Sequence, residues 1–496
     1  MRLAIGPGSI IPAMSVRHLL AGAVWLLGCA AFAQIPTPVA TELARAQVPE
    51  DAVALLVIET GQGMTPRLSH RSAVSMQAAS VMKLVTTFAA LDTLGPAFTW
   101  STPVYLNGSR APSRPGKKTD AGDTVFHGDV YIQGQGDPKL VLERLWLLLR
   151  RLQGLGLQQI AGDIVIDRDA FALAPSDPAQ FDGEPLRPYN AAPDAFLVNF
   201  SSVVFTFTPD VEAGVARIQA EPPLAGVRMP EQVPLSSGVC SDYRSALAAD
   251  FADPLRPRFK GRFPVACGER VWPVAYADPS QFAARAVHGM WRSLGGKLSG
   301  SVRYGSTPQQ VLAHGPAFSL KSPPLAEVVR DVNKFSNNVM AQQLYLTLGR
   351  ASAPGPGQAQ GAASFAASHA LLQAWWTQRV SPTDAPLLEN GSGLSRQESI
   401  SANALGQLLQ TAYASPSMPE LMASLPIPGQ DGTLRRSTST AMAHMKTGSL
   451  NNVLAIGGYV LAHSGRRYVV VAMVNHPNAS AARPALDALL EWASND

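Results

Sequence analysis

Residues 78–95, AASVMKLVTTFAALDTLG, read as a buried helix carrying a charge near its start. Val81, Leu84, Val85, Phe88 and Leu91 recur at helical spacing, and Gly95-Pro96 ends the run. Lys83 follows Ser80 by three positions. A cation beside an apolar stripe is costly unless it snorkels to water or finds a partner. Lys83 is therefore either a solvated lysine on the outer face or half of a chemical unit with Ser80, because i and i+3 share a helix face. The preceding VALLVIET (53–60) is a β-branched apolar run, which makes the local order strand, Gly-rich turn, helix.

Near the other end, HMKTGSL, VLAIGGYVLA and RRYVVVAMVNH read as three strands, the last two joined by a tight turn at His463-Ser464-Gly465. ARPALDALLEWAS closes the chain as an amphipathic helix. The first and last portions thus form two halves of one α/β (α+β) domain, an antiparallel sheet flanked by helices. A chain of 496 residues exceeds one ordinary core, and the middle changes texture. GDVYIQGQGDPKL and GDIVIDRDAF are strand-like around a helical LERLWLLLRRLQGLGL, and short proline-rich strands fill 195–268. Residues 105–125 and 349–364 read as loops, the first strongly basic at 109–118. The expected division is 34–100 with 275–496 as the main domain, 101–190 with 256–274 as inserted domain II, and 191–255 as inserted domain III, both β-rich.

A formal charge of +4 with no basic run interleaved with aromatics gives no support to nucleic-acid binding. MSVRHLLAGAVWLLGCAAFAQ has Arg17 and His18, an apolar stretch from Leu19, and Ala31-Phe32-Ala33 before Gln34. This is the pattern of a secretory signal over 1–33 cleaved after Ala33, with translation starting at Met1 or Met14. Lipoprotein processing at Cys29 is disfavoured by the bulky Leu27. Export leaves Cys240 and Cys267, which are expected to pair, closing a loop worth about 3.5 kcal/mol in the chain-entropy model. The histidines form no HExxH and no i,i+4 pair, so neither metal nor cofactor is expected.

Chemistry concentrates in three short motifs. Ser80-Val81-Met82-Lys83 places an amine beside a hydroxyl, and an alcohol needs a base before it is nucleophilic. Lys83 can be that base if burial or a nearby cation lowers its pKa. Ser336-Asn337-Asn338 opens another helix, where Ser and Asn also serve as ordinary caps. Lys446-Thr447-Gly448-Ser449 lies on a strand, and a strand glycine admits another backbone closely.

The ordered set resembles the penicillin-recognising serine enzymes, specifically the D-alanyl-D-alanine carboxypeptidases/endopeptidases of class C low-molecular-mass penicillin-binding proteins. GQGDPKL, GDIVID, ENGSGLSR (389–396), PGQDGTLRRS (428–437) and KTGSLNNVLAIGGYV extend the likeness over nearly all of the mature chain. The roughly 250 residues between the first two motifs also match that class. The resemblance implies a penicillin-binding/β-lactamase-like transpeptidase domain with inserted domains. It makes Ser80 the acylated nucleophile, Lys83 its base, Ser336 a proton relay and Asn338 a substrate ligand. Lys446, Thr447, Gly448 and Ser449 would bind the terminal carboxylate and the oxyanion. Asp167 and Arg396 would hold the amine and carboxylate of a diaminopimelate side chain.

The implied partners are peptidoglycan stem peptides, with β-lactams as covalent inhibitors, in the periplasm; the sequence leaves oligomeric state open. Two alternatives stand beside the peptidase. One is a β-lactamase or esterase on the same framework, which deacylates quickly. The other is a non-catalytic penicillin sensor or wall-binding protein, which has no need of two motif lysines.

Overall fold

The computed structural model describes residues 34–61, 63–112, 124–351 and 361–496. The signal segment, its cleavage point and Cys29 lie outside the described residues, as do 113–118 of the basic loop and 352–360.

A five-stranded antiparallel sheet runs in the order Met442–Leu450, Val453–Leu461, Arg467–Asn475, Val53–Glu59, Leu68–His70. Strand Val53–Glu59 is apolar without alternation because both of its faces are covered. Val53, Leu55 and Val57 point to the terminal helices Thr37–Arg45 and Arg483–Ser494, while Ala54 and Leu56 point to the helical layer opposite. That layer is built around the helix Lys83–Leu94, packed by Leu325–Lys334, Asn338–Ala351, Phe365–Arg379 and Ala402–Tyr413.

Lys83–Leu94 is not amphipathic in the ordinary sense, since every residue from Lys83 to Leu91 is buried. Its polar members are satisfied internally. Thr87 Oγ1 donates to the Lys83 carbonyl at 2.8 Å and Thr86 Oγ1 to the Gly391 carbonyl at 2.7 Å. Gly95 at φ +78° ends the helix in a conformation that favours glycine.

The second body departs from the expected boundaries. Its seven-stranded sheet joins Ser101–Pro112, Thr124–Gln133, Gln159–Ile160 and Ile164–Asp167 with Lys297–Leu298, Val302–Tyr304 and Phe318–Lys321. The return to the main domain therefore comes after residue 321, not at 275. Parallel and edge pairings formed by two- to four-residue strands carry little local signal, so the sequence alone does not reveal that 297–321 belong to this sheet. Residues 105–112 are likewise strand, paired from Val104↔Ile132 to Pro112↔Thr124, although their composition reads as loop.

A five-stranded sheet of Ser202–Asp210, Val215–Glu221, Gln232–Ser236, Phe263–Pro264 and Arg270–Ala275 keeps 263–275 with the segment expected as domain III. Both inserted sheets share one continuous apolar core with the helices Leu142–Gly154 and Pro279–Ser293. A Cys240–Cys267 disulfide, 27 positions apart in sequence, ties the rim of the second sheet.

Candidate active site

Ser80 sits in a single 3-10 turn, Ala79–Met82, that feeds directly into Lys83–Leu94. The turn starts with Ala79 at φ +48°, a left-handed backbone that costs a non-glycine residue about 1–2 kcal/mol. Two neighbours press on it. A Cβ on Gly448 would come 2.3 Å from the Ala78 carbonyl oxygen and 3.1 Å from the Ser80 nitrogen, and one on Gly393 would come 1.9 Å from the Ala79 oxygen. Only glycine permits these approaches.

Lys83 is 0 % exposed, so the outer-face reading of this lysine fails. Its Nζ lies 2.8 Å from Ser80 Oγ and 2.6 Å from Asn338 Oδ1, and it also donates to the Ser392 carbonyl. Burial first, and the nearby Lys446 second, hold its pKa well below the usual lysine range, while Glu398 opposes them. A neutral amine there turns its lone pair into the acceptor for the Ser80 proton.

Lys446 is also 0 % exposed, and burial pushes its pKa down to about 7. It donates to Ser336 Oγ at 2.9 Å and to the Thr447 carbonyl at 2.8 Å. Ser336 stands at φ +55°, two positions before the helix Asn338–Ala351 begins. Asn337 Oδ1 accepts the Met340 N–H at 3.1 Å, so the middle residue of this motif is the helix cap. Asn338 is buried and engaged at both ends, accepting from Lys83 and donating from Nδ2 to the Tyr189 carbonyl at 3.1 Å.

Met442–Leu450 is the edge strand of its sheet. The Met445 N–H donates to the Pro426 carbonyl at 2.9 Å, and the Thr447 carbonyl faces Lys446 Nζ. Odd-numbered positions thus direct their backbone groups to the open edge, Ser449 among them. Ser80, Ser336, Thr433, Thr447, Gly448 and Ser449 line one cleft of ≈ 250 Å³. Thr433 and Thr447 hydroxyls meet at 2.6 Å across it.

The two remaining sequence candidates are not brought together; among the described residues no hydrogen bond or ion pair joins Asp167 to Arg396. Asp167 is 2 % exposed, with Oδ1 accepting the Asp169 N–H and Oδ2 the Thr307 N–H, both at 2.9 Å. This carboxylate closes a loop within the inserted sheet. Arg396 donates to the Asn451 carbonyl at 3.1 Å, covers the Phe181 ring, and lines a hollow of ≈ 520 Å³ with Asn390, Gln342 and Ser395.

Sequence reasoning missed the pair behind the cleft. Lys334 Nζ donates to Asp431 Oδ2 at 2.5 Å and to the Leu425 carbonyl at 2.6 Å, pinning the segment that carries Thr433. It also missed Glu398 and the Ser392 carbonyl. The PGQDGT and ENGSG segments marked these neighbourhoods without naming the working atoms. Among the described residues no group of three or more His, Cys, Asp or Glu is placed to hold a metal, and no helix is long and apolar enough to cross a membrane.

Residues 37–496 match the family model of D-Ala-D-Ala carboxypeptidase 3 (S13). A D-alanyl-D-alanine carboxypeptidase of Actinomadura sp. (strain R39) is 26 % identical over 454 residues, covering 87 % of this chain and 79 % of the relative. The crystal structure of penicillin binding protein 4 (dacB) from Haemophilus influenzae superposes with a TM-score of 0.69 at 20 % identity, over 92 % of this chain and 99 % of that one. The same protein complexed with a β-lactam gives 0.64 at 21 % identity, over 92 % and 100 %. At these identities the structural likeness establishes the fold: an α+β penicillin-binding domain with inserted β-rich bodies.

Proposed function

The chain belongs to the D-Ala-D-Ala carboxypeptidase 3 (S13) family and is a serine-type DD-peptidase, and on that premise we propose how its cleft divides the work. Neutral Lys83 takes the Ser80 proton as Oγ attacks the carbonyl of the penultimate D-Ala in a peptidoglycan stem peptide. The developing oxyanion is met by the backbone N–H groups of Ser80 and Ser449, on the turn and on the open strand edge. Ser336, held by Lys446, passes its hydroxyl proton to the leaving nitrogen as the C–N bond breaks and is reprotonated with the proton that Lys83 took from Ser80, which leaves Lys83 neutral for the next step. Water then hydrolyses the Ser80 ester and restores the hydroxyl. Thr447 and Ser449 take the substrate's terminal carboxylate, with protonated Lys446 beneath them as the charge rather than as a direct surface ligand. Asn338 orients Lys83 and turns its amide to substrate on release from Tyr189. Arg396 is retained for the carboxylate of a substrate side chain.

The observation that carries this reading is the pair of buried lysines, each within 2.9 Å of a serine hydroxyl, with both serines lining a single cleft. A wall-binding protein has no use for two desolvated amines. β-Lactams are proposed as covalent inhibitors, on the strength of the Haemophilus complex. A periplasmic location rests on the N-terminal signal pattern alone.

The test is mass spectrometry after penicillin treatment, followed by digestion of purified sacculi. Penicillin should add its whole mass to the Ser80 peptide and fail to do so in Ser80→Ala. Free D-Ala marks carboxypeptidase action, and loss of cross-linked dimers marks endopeptidase action. Rapid loss of the adduct would instead assign a β-lactamase. Arg396→Ala should raise KM for diaminopimelate-containing peptides; unchanged kinetics remove Arg396 from the site.

A further inference from the structure

Glu398 is 2 % exposed, yet among the described residues no lysine or arginine pairs with it. Its carboxylate is satisfied entirely by backbone. Oε1 accepts the N–H groups of Glu389, Asn390 and Gly391 at 2.8, 2.9 and 2.9 Å, and Oε2 accepts that of Gly393 at 2.8 Å. Four donors converging on two oxygens require an acceptor at both. A glutamine would turn its NH2 toward one of them and leave donor facing donor.

The loop wound around this carboxylate touches the nucleophile turn at three points. The Ser392 carbonyl accepts from Lys83 Nζ, the Gly391 carbonyl accepts from Thr86 Oγ1 one turn further along the same helix, and Gly393 packs against the Ala79 carbonyl. Gly391 and Gly393 stand at φ +72° and +76°, so the loop holds a shape that side chains resist. Around the Lys83 amine the polar neighbours are Ser80, Asn338 and the Ser392 carbonyl, and the charges acting on it are Lys446 from the edge strand and Glu398 from this loop.

We propose that Glu398 is a positioning residue for acylation: its buried carboxylate winds the 389–393 loop so that the Ser392 carbonyl fixes the Lys83 amine, and its charge balances that of Lys446. The proposal rests on Lys83 being the base. The same negative charge that the loop needs for folding favours the ammonium form of Lys83, so loop geometry and base strength are set by one group.

The test is the pH profile of penicillin acylation. In Glu398→Gln the loss of a negative charge makes Lys83 shed its proton at lower pH, so the acid limb should move down by about one pH unit. Glu398→Asp keeps the charge but shortens the reach, and should leave the limb in place while slowing acylation about tenfold. An unmoved limb in folded Glu398→Gln overturns the proposal. If that variant does not fold, a wild-type rate or a displaced limb in Glu398→Asp overturns it. Lys83→Met, assayed alongside, separates the two ideas. If it acylates at the wild-type rate, the base assignment fails; if it is slowed by at least about 10²-fold while the Glu398 variants behave as wild type, only the role of Glu398 falls.

Discussion

Replacing Lys83 by Met keeps an unbranched chain of similar bulk in a site with no solvent access, so the packing is preserved and the amine alone is lost. Two stability terms then oppose each other. The Asn338 amide oxygen and the Ser392 carbonyl lose their donor, at about 1–3 kcal/mol each. Against this, Met has no proton to give up, so the cost of neutralising an amine that burial and Lys446 hold below its usual pKa disappears. The terms nearly cancel, and the unfolding free energy should change by no more than about 2 kcal/mol. Acylation has no such compensation and should fall about 10²–10⁴-fold with loss of the general base. Stopped-flow labelling with a fluorescent penicillin gives the rate, and a urea titration of the same sample gives the stability. A folded Lys83→Met that labels at the wild-type rate refutes the reasoning. So does one that loses activity only in proportion to lost stability.

The second buried lysine makes a pH prediction. Lys446 has a folded pKa near 7 against an unfolded value near 10.4, so between them the unfolded chain binds the extra proton and stability rises with pH. Relative to Lys446→Met, the wild type should gain up to about 1.4 kcal/mol per pH unit from pH 7 upward. Parallel stability curves for the two would show that Lys446 titrates normally. Gly448→Ala places a methyl 2.3 Å from the Ala78 oxygen and must push the edge strand off the Ser80 turn. Acylation should drop by about 10² or more as the two oxyanion donors separate, with affinity for non-covalent product less affected. An unchanged rate would mean that Ser80 and Ser449 do not share the oxyanion.

The parts of this site legible in the sequence were those where chemistry restricts the residue type. Ser80, Lys83, Ser336 and Lys446 show because a hydroxyl needs an amine at a fixed separation, and the structure brings both pairs within 2.9 Å. The central sheet was legible for a similar reason, since long β-branched runs covered on both faces leave a continuous apolar signal. Glu398 was invisible because its partners are backbone N–H groups, which every residue except proline carries. Asp167 stands out in the sequence as an acid at a strand end, but its local engagement does not, because the Asp169 and Thr307 N–H groups that its oxygens accept are backbone donors. The domain boundary failed where strands such as Lys297–Leu298 are too short to show alternation and pair with residues far away.

The strand that precedes the nucleophile has a consequence for the order of assembly. Val53–Glu59 is hydrogen-bonded along its whole length to Arg467–Asn475, and Thr37–Arg45 packs with Arg483–Ser494. Residues 37–59 therefore cannot find these neighbours until 467–494 have been made. The inserted bodies, whose strands mostly pair within 101–321, can fold while they wait. Ser80 and Lys83 emerge early, but Lys446 and the oxyanion edge arrive late on the hairpin that also completes the sheet. The strand that presses on the Ser80 turn reaches Val53–Glu59 only through Arg467–Asn475, so a chain truncated before residue 467 loses the link that holds the two halves of the cleft in one sheet.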